Sequence, residues 1–476
     1  MKQDRIFWRR LKLNNGPVLN MAGDEDSIRF ESNVERAILR LRTSIEGGGE
    51  IGPRATEDKS NQRLGAQRKN ATVPKQHFEA IDWNSPPSKS HMIRWLALAA
   101  QAVETTELHF VGQPGGDIES MARCLEQLGV SIGRSATYWT IHGSGSNTLN
   151  SPKSVLNADN SGTALRFLTA ICSRFDTPVM LDGDATLRRR PSEPLRSVLR
   201  ELGCELSSGE RGEALPLLLL GGRDKQAFDA TKNFPITLDI STSSQPLSAL
   251  INAAPGFPST LHLQLKGHPV SSKHADLSFR IAAQTGSTNS AANSSGLQKI
   301  EPWLPKCPTR INIPNDQSIN SFGVLLGRVH GVEVKLPSTG AKDSLGAEIL
   351  DKIETKNEFD LTDASDMICP LAALLAIGNG GKITGVKHAR FKESNRIERT
   401  VEMLAAFSLD VEARADGLTV LGGQSILAPS GVVRTHGDHR LHMTAACLST
   451  LVGAELSDYG IHEITHPEFT DIVTIE

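Results

Sequence analysis

Residues 160–171, NSGTALRFLTAI, begin with a polar turn and continue as an almost unbroken apolar run. Asn, Ser and Thr are favoured where a helix begins, and a helix that is apolar all round is normally buried. The same arrangement occurs five more times along the chain, with polar turns that contain Ser88, Ser243, Asp316, Asp366 and Asp438. A unit of about 70 residues repeated six times is too long for a solenoid and predicts two domains of three units each.

Between these helices lie short runs bounded by glycine, which are typical of strands. Examples are YWTIHG at residues 138–143, TLHLQLKG at 260–267 and LTVLGG at 418–423. Each unit also carries a second, amphipathic helix pattern, such as ESMARCLEQLG at 119–129 and RTVEMLAAFS at 399–408. Strands that alternate with two kinds of helix predict an α/β (α+β) fold.

The polar turns are the parts of the buried helices that can reach a ligand. A helix N-terminus offers unpaired backbone N–H groups and a partial positive charge, which suit phosphate or carboxylate. Any one of these turns alone is explained as an ordinary N-cap. Basic residues there oppose the helix dipole, however, and such residues lie within or beside several of the turns: Lys89, Arg94, Arg166, Arg190, Lys392, Arg396 and Arg440. We therefore expect an anion site where several helix starts meet.

Composition narrows the possible functions. The chain has 476 residues, with 51 Lys and Arg against 54 Asp and Glu, so bulk positive charge for nucleic-acid binding is absent. The six cysteines form no CxxC pair, which argues against both a zinc site and a disulfide framework. No apolar run is long enough for a membrane span, and no secretory leader is recognisable. We expect a cytoplasmic protein without a membrane or nucleic-acid partner.

The first 75 residues differ from the rest and are interpreted as an N-terminal extension, partly disordered. Ser32 and Glu35 form a capping-box pattern, apolar residues follow at helical spacing, and Gly47 to Gly49 end the pattern. This predicts one amphipathic helix at about residues 33–46. It is interpreted either as a docking or oligomerisation element or as a helix on the protein's own surface.

Seven strings, in this order and at this spacing, resemble the 5-enolpyruvylshikimate-3-phosphate synthase family of enolpyruvyl transferases. They are PSKSHMIR, NSGTALRFL, LRRRP, STSSQPLSAL, KESNRIE, GDHR and THPEF, and the likeness extends from about residue 76 to the end. The resemblance implies two domains, each of three βαββαβ units in an inside-out α/β barrel, with the active site in the cleft between them. We expect one domain at 88–312 and the other at 76–87 plus 313–476.

Carried over position by position, the resemblance implies two substrate sites. Forked guanidinium groups suit a ligand that has a phosphate and a carboxylate, and a glycine permits close approach to the backbone. The phosphoenolpyruvate site would comprise Lys89, Gly162, Arg190, Gln245, Arg396, His439 and Arg440. The shikimate-3-phosphate site would comprise Lys89, Ser90, Arg94, Ser243, Ser244, Gln245, Ser271, Asp366, His388 and Lys392. Arg94 would take the ring carboxylate, while the serines and Lys392 would take the phosphate.

The family reaction also requires proton transfer in both of its halves. Asp366 is the expected base to the 5-hydroxyl of the acceptor, and Glu393 and Lys89 are the expected proton donors and acceptors at C3 and at the leaving oxygen. The resemblance implies no metal and no organic cofactor. We expect a monomer whose domains close around anionic substrates.

Several positions depart from the family pattern and keep other functions open. Those that differ are Pro87, Phe167, His274, His388, Asn395 and Ile464, the last of which stands where the family has a lysine. A related enzyme that acts on a different hydroxylated ring acid is one alternative. A catalytically degenerate, ligand-binding homologue is another, although the chain keeps Lys89, Asp366 and Glu393. Transfer to a UDP-sugar is disfavoured, because the LRRRP segment lacks that enzyme's reactive cysteine.

Overall fold

The computed structural model describes residues 69–209, 214–222, 224–291, 296–337 and 346–476. All six helices predicted from the repeat are present, and each begins at or just after its polar turn. The helices are α1 (Lys89–Gln101), α2 (Gly116–Gln127), α3 (Gly162–Cys172), α4 (Glu193–Glu201), α5 (Lys225–Ala230), α6 (Gln245–Ala253), α7 (Ser272–Gln284), α8 (Gln317–His330), α9 (Ala347–Leu350), α10 (Ile368–Ile377), α11 (Arg396–Ala406) and α12 (His439–Val452). Their number and their alternation with strands confirm the α/β prediction.

The strands are short, as the glycine-bounded runs predicted. They are β1 (Ala71–Val73), β2 (Ile81–Asp82), β3 (Thr105–His109), β4 (Ser131–Arg134), β5 (Tyr138–His142), β6 (Leu156–Asn157), β7 (Val179–Asp182), β8 (Glu205–Ser208), β9 (Leu217–Leu220), β10 (Ile236–Asp239), β11 (Leu261–Lys266), β12 (Leu297–Ile300), β13 (Arg310–Asn312), β14 (Val334–Lys335), β15 (Glu358–Asp360), β16 (Gly381–Thr384), β17 (Val411–Ala413), β18 (Leu418–Val420) and β19 (Ala454–Leu456).

The strand order of the sheets repeats along the chain, as the sequence motif does. The larger sheets have the orders β13-β3-β5-β4, β6-β7-β9-β8, β10-β11-β12 and β15-β16-β18-β17. In each of them the first pair is parallel and the remaining pairs are antiparallel. A helix joins the parallel strands β6 and β7, β10 and β11, and β15 and β16, as a crossover connection requires.

The six repeat helices form two groups of three. Helices α1, α3 and α6 contact one another, and so do α8, α10 and α12. Helix α10, ICPLAALLAI, is buried along nearly its whole length, which accounts for the absence of a polar face in its sequence. The first turns of all six helices lack an acidic residue, although Asp and Glu are usually favoured there.

Two hydrophobic cores surround these groups of helices. The first core is built from residues 92–313, and the second from residues 71–83 together with 319–475. We call the corresponding parts the first lobe (88–313) and the second lobe (69–87 with 314–476). Both lobes belong to one compact unit, and the domain boundaries given above stay a prediction.

Two features differ from the sequence interpretation. Residues 71–73, counted there with the extension, form β1 and pair with β19 in the second lobe. Helix α7 was not predicted, because its sequence SKHADLSFRIAAQ mixes polar and apolar residues more evenly than the other helices. The helix predicted at about 33–46 lies outside the described residues. No helix of the described part is long and apolar enough to span a membrane.

Candidate active site

A cavity of about 110 Å³ lies at the helix starts of both lobes. Its walls contain all the residues predicted for the two substrate sites except Arg396, His439 and Arg440. The predicted residues in the walls are Lys89, Ser90, Arg94, Gly162, Arg190, Ser243, Ser244, Gln245, Ser271, Asp366, His388, Lys392 and Glu393. Stretches that are more than 300 positions apart in the chain therefore meet in one place.

Arg396 lies just behind this wall and organises the second lobe's side of it. The side chain is 1% exposed and pairs with three carboxylates. Its Nη1 lies 2.6 Å from Asp366 Oδ1, its Nη2 2.5 Å from Glu393 Oε2, and its Nε 2.9 Å from Asp438 Oδ2. Such a pairing keeps a buried guanidinium charged and fixes both candidate catalytic carboxylates.

The start of α12 supplies unused donors beside this network. Arg440 Nη2 lies 3.5 Å from Asp366 Oδ2, while its Nε and Nη1 have no hydrogen-bond partner among the described residues. Both ring nitrogens of His439 also lack a partner there, and burial lowers the pKa of His439 well below its usual value. Buried unpaired donors are costly unless a ligand satisfies them. The geometry suits an anion at this position.

Both candidate carboxylates are ionised at neutral pH. Burial favours their neutral forms, but nearby cations outweigh it and hold each pKa well below its usual range. For Asp366 these cations are Arg440, Lys392, Arg396 and Lys89. For Glu393 they are chiefly Arg190 and Arg396. Each carboxylate is therefore in the form that can accept a proton, although the same cations weaken it as a base. Glu393 can donate a proton only after its arginines are engaged elsewhere.

Arg190, from the LRRRP segment, completes the cation set from the first lobe. Its Nη1 lies 3.3 Å from Glu393 Oε1, and its Nη2 donates to Asn160 Oδ1 at 2.9 Å. Asn160 is fixed in turn by Asp184, whose Oδ2 accepts from its amide at 2.7 Å. Asn160 belongs to the NSGTALRFL string but is not among the residues predicted for the site. Asp184 has no specific signal in the sequence, because a single Asp before a turn is common.

Gly162 lies in a closely packed part of this region. A Cβ atom there would lie 2.8 Å from Arg166 Nη1 and 3.2 Å from Arg190 Nη1. Arg166 donates to the carbonyls of Gly162 and Pro191 at 3.0 and 2.7 Å, so it holds the start of α3 against the LRRRP segment. The close approach of a ligand to the backbone at Gly162 stays a prediction.

Ser271 and His388 meet where the two lobes touch. Ser271 has φ +54°, a left-handed conformation that is strained for a residue with a Cβ. Its N–H donates to Thr362 O at 3.0 Å, and its Oγ lies 3.4 Å from His388 Nε2. Burial and the neighbouring Lys392 lower the pKa of His388 to about 4, so this histidine is neutral at neutral pH.

Arg94, the predicted carboxylate ligand, is already well engaged by the protein. It donates to Ser278 Oγ at 2.7 Å, to the carbonyl of Ser90 at 2.7 Å and to that of His274 at 2.8 Å. Its guanidinium also lies over the ring of Phe167, 5.5 Å from the centroid. A substrate carboxylate would have to share these donors.

Asp117 is the cavity-lining residue that sequence reasoning missed most clearly. Its Oδ2 lies 2.9 Å from Lys89 Nζ. The only available signal was a carboxylate after two glycines, Gly115 and Gly116, at the start of an amphipathic helix. Such a residue is normally an ordinary first-turn acid.

Two of the departures have local explanations. Asn395 caps α11 by accepting a hydrogen bond from the N–H of Glu398, a role that Asn and Asp fill equally well. Ile464 is 6% exposed and lies against the start of α2, where its carbonyl would be 2.7 Å from a Cβ at position 115. Among the described residues, no cluster of His, Cys, Asp or Glu could hold a metal ion.

Solved structures share this architecture. An EPSP synthase from Acinetobacter baumannii matches with a TM-score of 0.66 and 22% identity, covering 86% of this chain and 99% of its own. The enolpyruvyl transferase NikO from Streptomyces tendae matches with a TM-score of 0.62 and 14% identity, covering 86% and 99% respectively. The fold is therefore the two-domain fold of the enolpyruvyl transferases.

Sequence comparison narrows this class. A family model described as EPSP synthase (3-phosphoshikimate 1-carboxyvinyltransferase) matches residues 82–356 and 347–473. The 3-phosphoshikimate 1-carboxyvinyltransferase of Methanothermobacter thermautotrophicus is 27% identical over 411 residues, 81% of this chain and 93% of its own. That of Dehalococcoides mccartyi is 30% identical over 414 residues, with the same coverage. The chain belongs to the EPSP synthase family and is a transferase.

Proposed function

We propose that the protein transfers the enolpyruvyl group of phosphoenolpyruvate to the 5-hydroxyl of shikimate-3-phosphate and releases phosphate. The observation that carries the proposal is a network of ion pairs at the cavity. Arg190 of the first lobe pairs there with Glu393 of the second lobe, and Arg396, just behind the wall, pairs with both Glu393 and Asp366. Family membership supplies the substrates, and the network supplies groups that could hold them and move their protons.

The cations are suited to phosphoenolpyruvate. Arg190, Lys89 and the start of α3 at Gly162 would receive its phosphate, while Arg396 and the unpaired nitrogens of Arg440 would receive its carboxylate. In this scheme Arg396 releases a carboxylate of the protein and binds the carboxylate of phosphoenolpyruvate instead. Charge that develops on the leaving phosphate then meets fixed guanidinium and ammonium groups, which is preorganised electrostatic stabilisation.

Addition and elimination follow from the carboxylates. In the addition, the acceptor oxygen forms a bond to C2 and gives its proton to Asp366, while C3 receives a proton and a tetrahedral adduct results. In the elimination, C3 loses a proton, the bond between C2 and the phosphate oxygen breaks, and phosphate departs. Glu393 and Lys89 are the groups we assign to the protons at C3 and at the leaving oxygen.

The acceptor side supports a second candidate. The donors of Arg94 are shared with Ser278, Ser90 and His274, and two histidines stand at departures from the family pattern. A related transferase that acts on another hydroxylated ring acid would fit this altered acceptor wall, and the fold also occurs in a protein named only as an enolpyruvyl transferase. A non-catalytic homologue would be expected to have lost groups such as Lys89, Asp366 and Glu393, which this chain keeps.

Phosphate release by the purified protein tests the proposal. We expect release from phosphoenolpyruvate that depends on shikimate-3-phosphate and is lost in Asp366→Ala. Release with a different ring acid but not with shikimate-3-phosphate would favour the second candidate. If no acceptor supports phosphate release although the protein still binds phosphoenolpyruvate, the result would favour a ligand-binding homologue without catalytic activity.

A further inference from the structure

Phe391 lines the cavity but is not among the residues that the family resemblance assigns to either substrate. It comes directly before Lys392 and Glu393 in the chain and is 53% exposed. Among the described residues of the cavity wall, it is the only apolar one that the second lobe contributes. A single exposed apolar residue on an outer surface needs no explanation, but an aromatic ring among the charges of a binding site does.

The segment that carries Phe391 is anchored to the second lobe. The residue ends a short 3₁₀ turn, within which His388 is buried. Arg390, the residue before it, is tied to neighbouring elements. Its Nη1 lies 2.7 Å from Glu398 Oε1, and its Nη2 donates to Arg414 O at 2.9 Å. These contacts fix the backbone of the turn, so Phe391 is held at the cavity.

The first lobe also contributes apolar residues to this cavity. Its wall contains Pro191, Pro194 and Leu195, which we call the apolar patch. Pro194 lies in the first turn of α4, and the carbonyl of Pro191 accepts a hydrogen bond from Arg166 Nη2 at 2.7 Å. The patch is therefore fixed in place as well. Both lobes present apolar groups at a cavity that is otherwise lined mainly by charged and polar residues.

The proposed reaction makes such groups useful, because water can compete with the acceptor. When C3 of phosphoenolpyruvate is protonated, C2 becomes open to attack by any oxygen nucleophile. If water attacks, its oxygen forms the bond to C2 and gives up one proton. The bond between C2 and the phosphate oxygen then breaks, the remaining hydroxyl proton passes to the departing phosphate, and pyruvate is left. Keeping water away from the reacting carbon prevents this side reaction.

We infer that Phe391 and the apolar patch exclude water from C2 of phosphoenolpyruvate, so that Phe391 determines the specificity for an acceptor hydroxyl over water. The inference rests on the proposed function, because it presupposes that C2 is activated at this cavity. The exclusion requires only the size and the apolar character of the ring. A small side chain at position 391 would leave every ion pair of the site in place and would admit water.

The share of pyruvate among the products tests this role. With saturating phosphoenolpyruvate and shikimate-3-phosphate, pyruvate is measured against the total phosphate released. In Phe391→Ala we expect this ratio to rise roughly tenfold, a change that corresponds to about 1.4 kcal/mol between the two competing paths. Phe391→Leu, whose side chain stays large and apolar, should keep the ratio of the unsubstituted protein. Phe234→Ala, which removes an 80% exposed ring outside the cavity wall, is the matched control and should also keep it. An unchanged ratio in Phe391→Ala would overturn the inference even if turnover falls, because a loss of folded protein lowers both products equally.

A binding measurement separates this inference from the proposed function. In Phe391→Trp the added indole should be shielded from quenching by acrylamide when phosphoenolpyruvate is bound, as judged by the difference from the unsubstituted protein. Equal quenching with and without phosphoenolpyruvate, at a concentration that calorimetry shows to saturate the site, would overturn the inference whatever the turnover. Lack of phosphate release that depends on shikimate-3-phosphate in the unsubstituted protein would instead refute the proposed function, and the shielding would still decide the role of Phe391. A protein that does not bind phosphoenolpyruvate would refute both.

Discussion

Arg190 Nη1 lies 3.3 Å from Glu393 Oε1, and this contact joins the first lobe to the second inside the cavity. Arg396 holds the other oxygen of the same carboxylate at 2.5 Å. Both arginines are proposed ligands of phosphoenolpyruvate, so the substrate's anionic groups compete with Glu393 for them. If Glu393 lost these two arginines as partners, its pKa would rise from its depressed value.

Binding of phosphoenolpyruvate should therefore take up protons at Glu393. Calorimetric titrations in two buffers of different ionisation enthalpy measure this proton uptake. Between pH 5 and 8 we expect the uptake to be largest at the acidic end, because a carboxylate whose pKa rises gains its proton there first. Glu393→Gln is the control, since glutamine cannot gain the proton. Any proton uptake that remains in this variant comes from the substrate's own phosphate. Equal uptake in the two proteins would contradict the exchange of partners.

Asp366→Asn should lower kcat while leaving phosphoenolpyruvate binding intact. Removing a positioned proton acceptor costs about 10²- to 10⁴-fold in rate, and Asn keeps the size of the side chain that contacts Arg396 and Arg440. Steady-state phosphate release gives kcat, and fluorescence or calorimetric titration gives the dissociation constant. The exposed Asp351→Asn is a matched control that should behave like the unsubstituted protein. A loss of binding with kcat unchanged would show that Asp366 serves the substrate only as a ligand.

Asp363 caps helix α7 from the opposite lobe, and its removal should weaken acceptor binding. Its Oδ1 accepts from Ser272 Oγ at 3.0 Å and from the N–H of Lys273 at 3.2 Å, directly beside the strained Ser271. Asp363→Ala should raise the KM for shikimate-3-phosphate by about 2- to 30-fold, equivalent to the usual 0.5–2 kcal/mol of an N-cap. Asp363→Asn should have little effect because Asn is an equally good cap. Similar KM values for Ala and Asn would contradict the role of the cap.

The sequence was informative about the fold because its signal was repeated. Six buried helices with polar starts, such as the one at Gly162, were visible from apolar runs that no surface helix could carry. The turns also indicated which residues would line the cavity, because nothing else on such helices can reach a ligand. Contacts between residues on different elements around the cavity could not be predicted from the spacing of motifs in the sequence. Asp117 and Asp363 resemble ordinary first-turn and loop acids in the sequence, and only the packing of α1 against α2 and of α7 against the second lobe gives them partners.

The isoleucine at 464 offers a test of the cation that the family places there. Because the backbone of Ile464 lies beside Gly115 and Gly116, a lysine at this position would stand close to the start of α2, which carries Asp117. Ile464→Lys should lower the KM for phosphoenolpyruvate by about tenfold, in line with about 1.5 kcal/mol for one charge-assisted hydrogen bond. Ile464→Met controls for length without charge. Lysine and methionine variants with the same KM would show that position 464 does not reach the substrate.

Acid should destabilise the protein through buried histidines in the second lobe. His466 packs between Trp83 and Phe469, with ring centroids 5.4 and 5.9 Å away. Burial lowers the pKa of His466 to about 3 and that of nearby His462 to about 4, with Glu463 as the charged group that opposes the shift at His462.

The direction of this effect follows from proton binding. Between the ordinary histidine pKa of 6.5 and the folded value, the unfolded chain binds the proton and the folded chain does not. The stabilisation is therefore complete above pH 6.5 and is lost as the pH falls toward the folded pKa. The free energy of unfolding should fall between pH 6.5 and pH 4 in the unsubstituted protein. In His466→Phe this fall should be about 3 kcal/mol smaller. Urea unfolding at several pH values measures this slope, and any constant packing cost of the larger ring cancels from it. An unaltered slope in His466→Phe would show that His466 does not contribute to acid destabilisation.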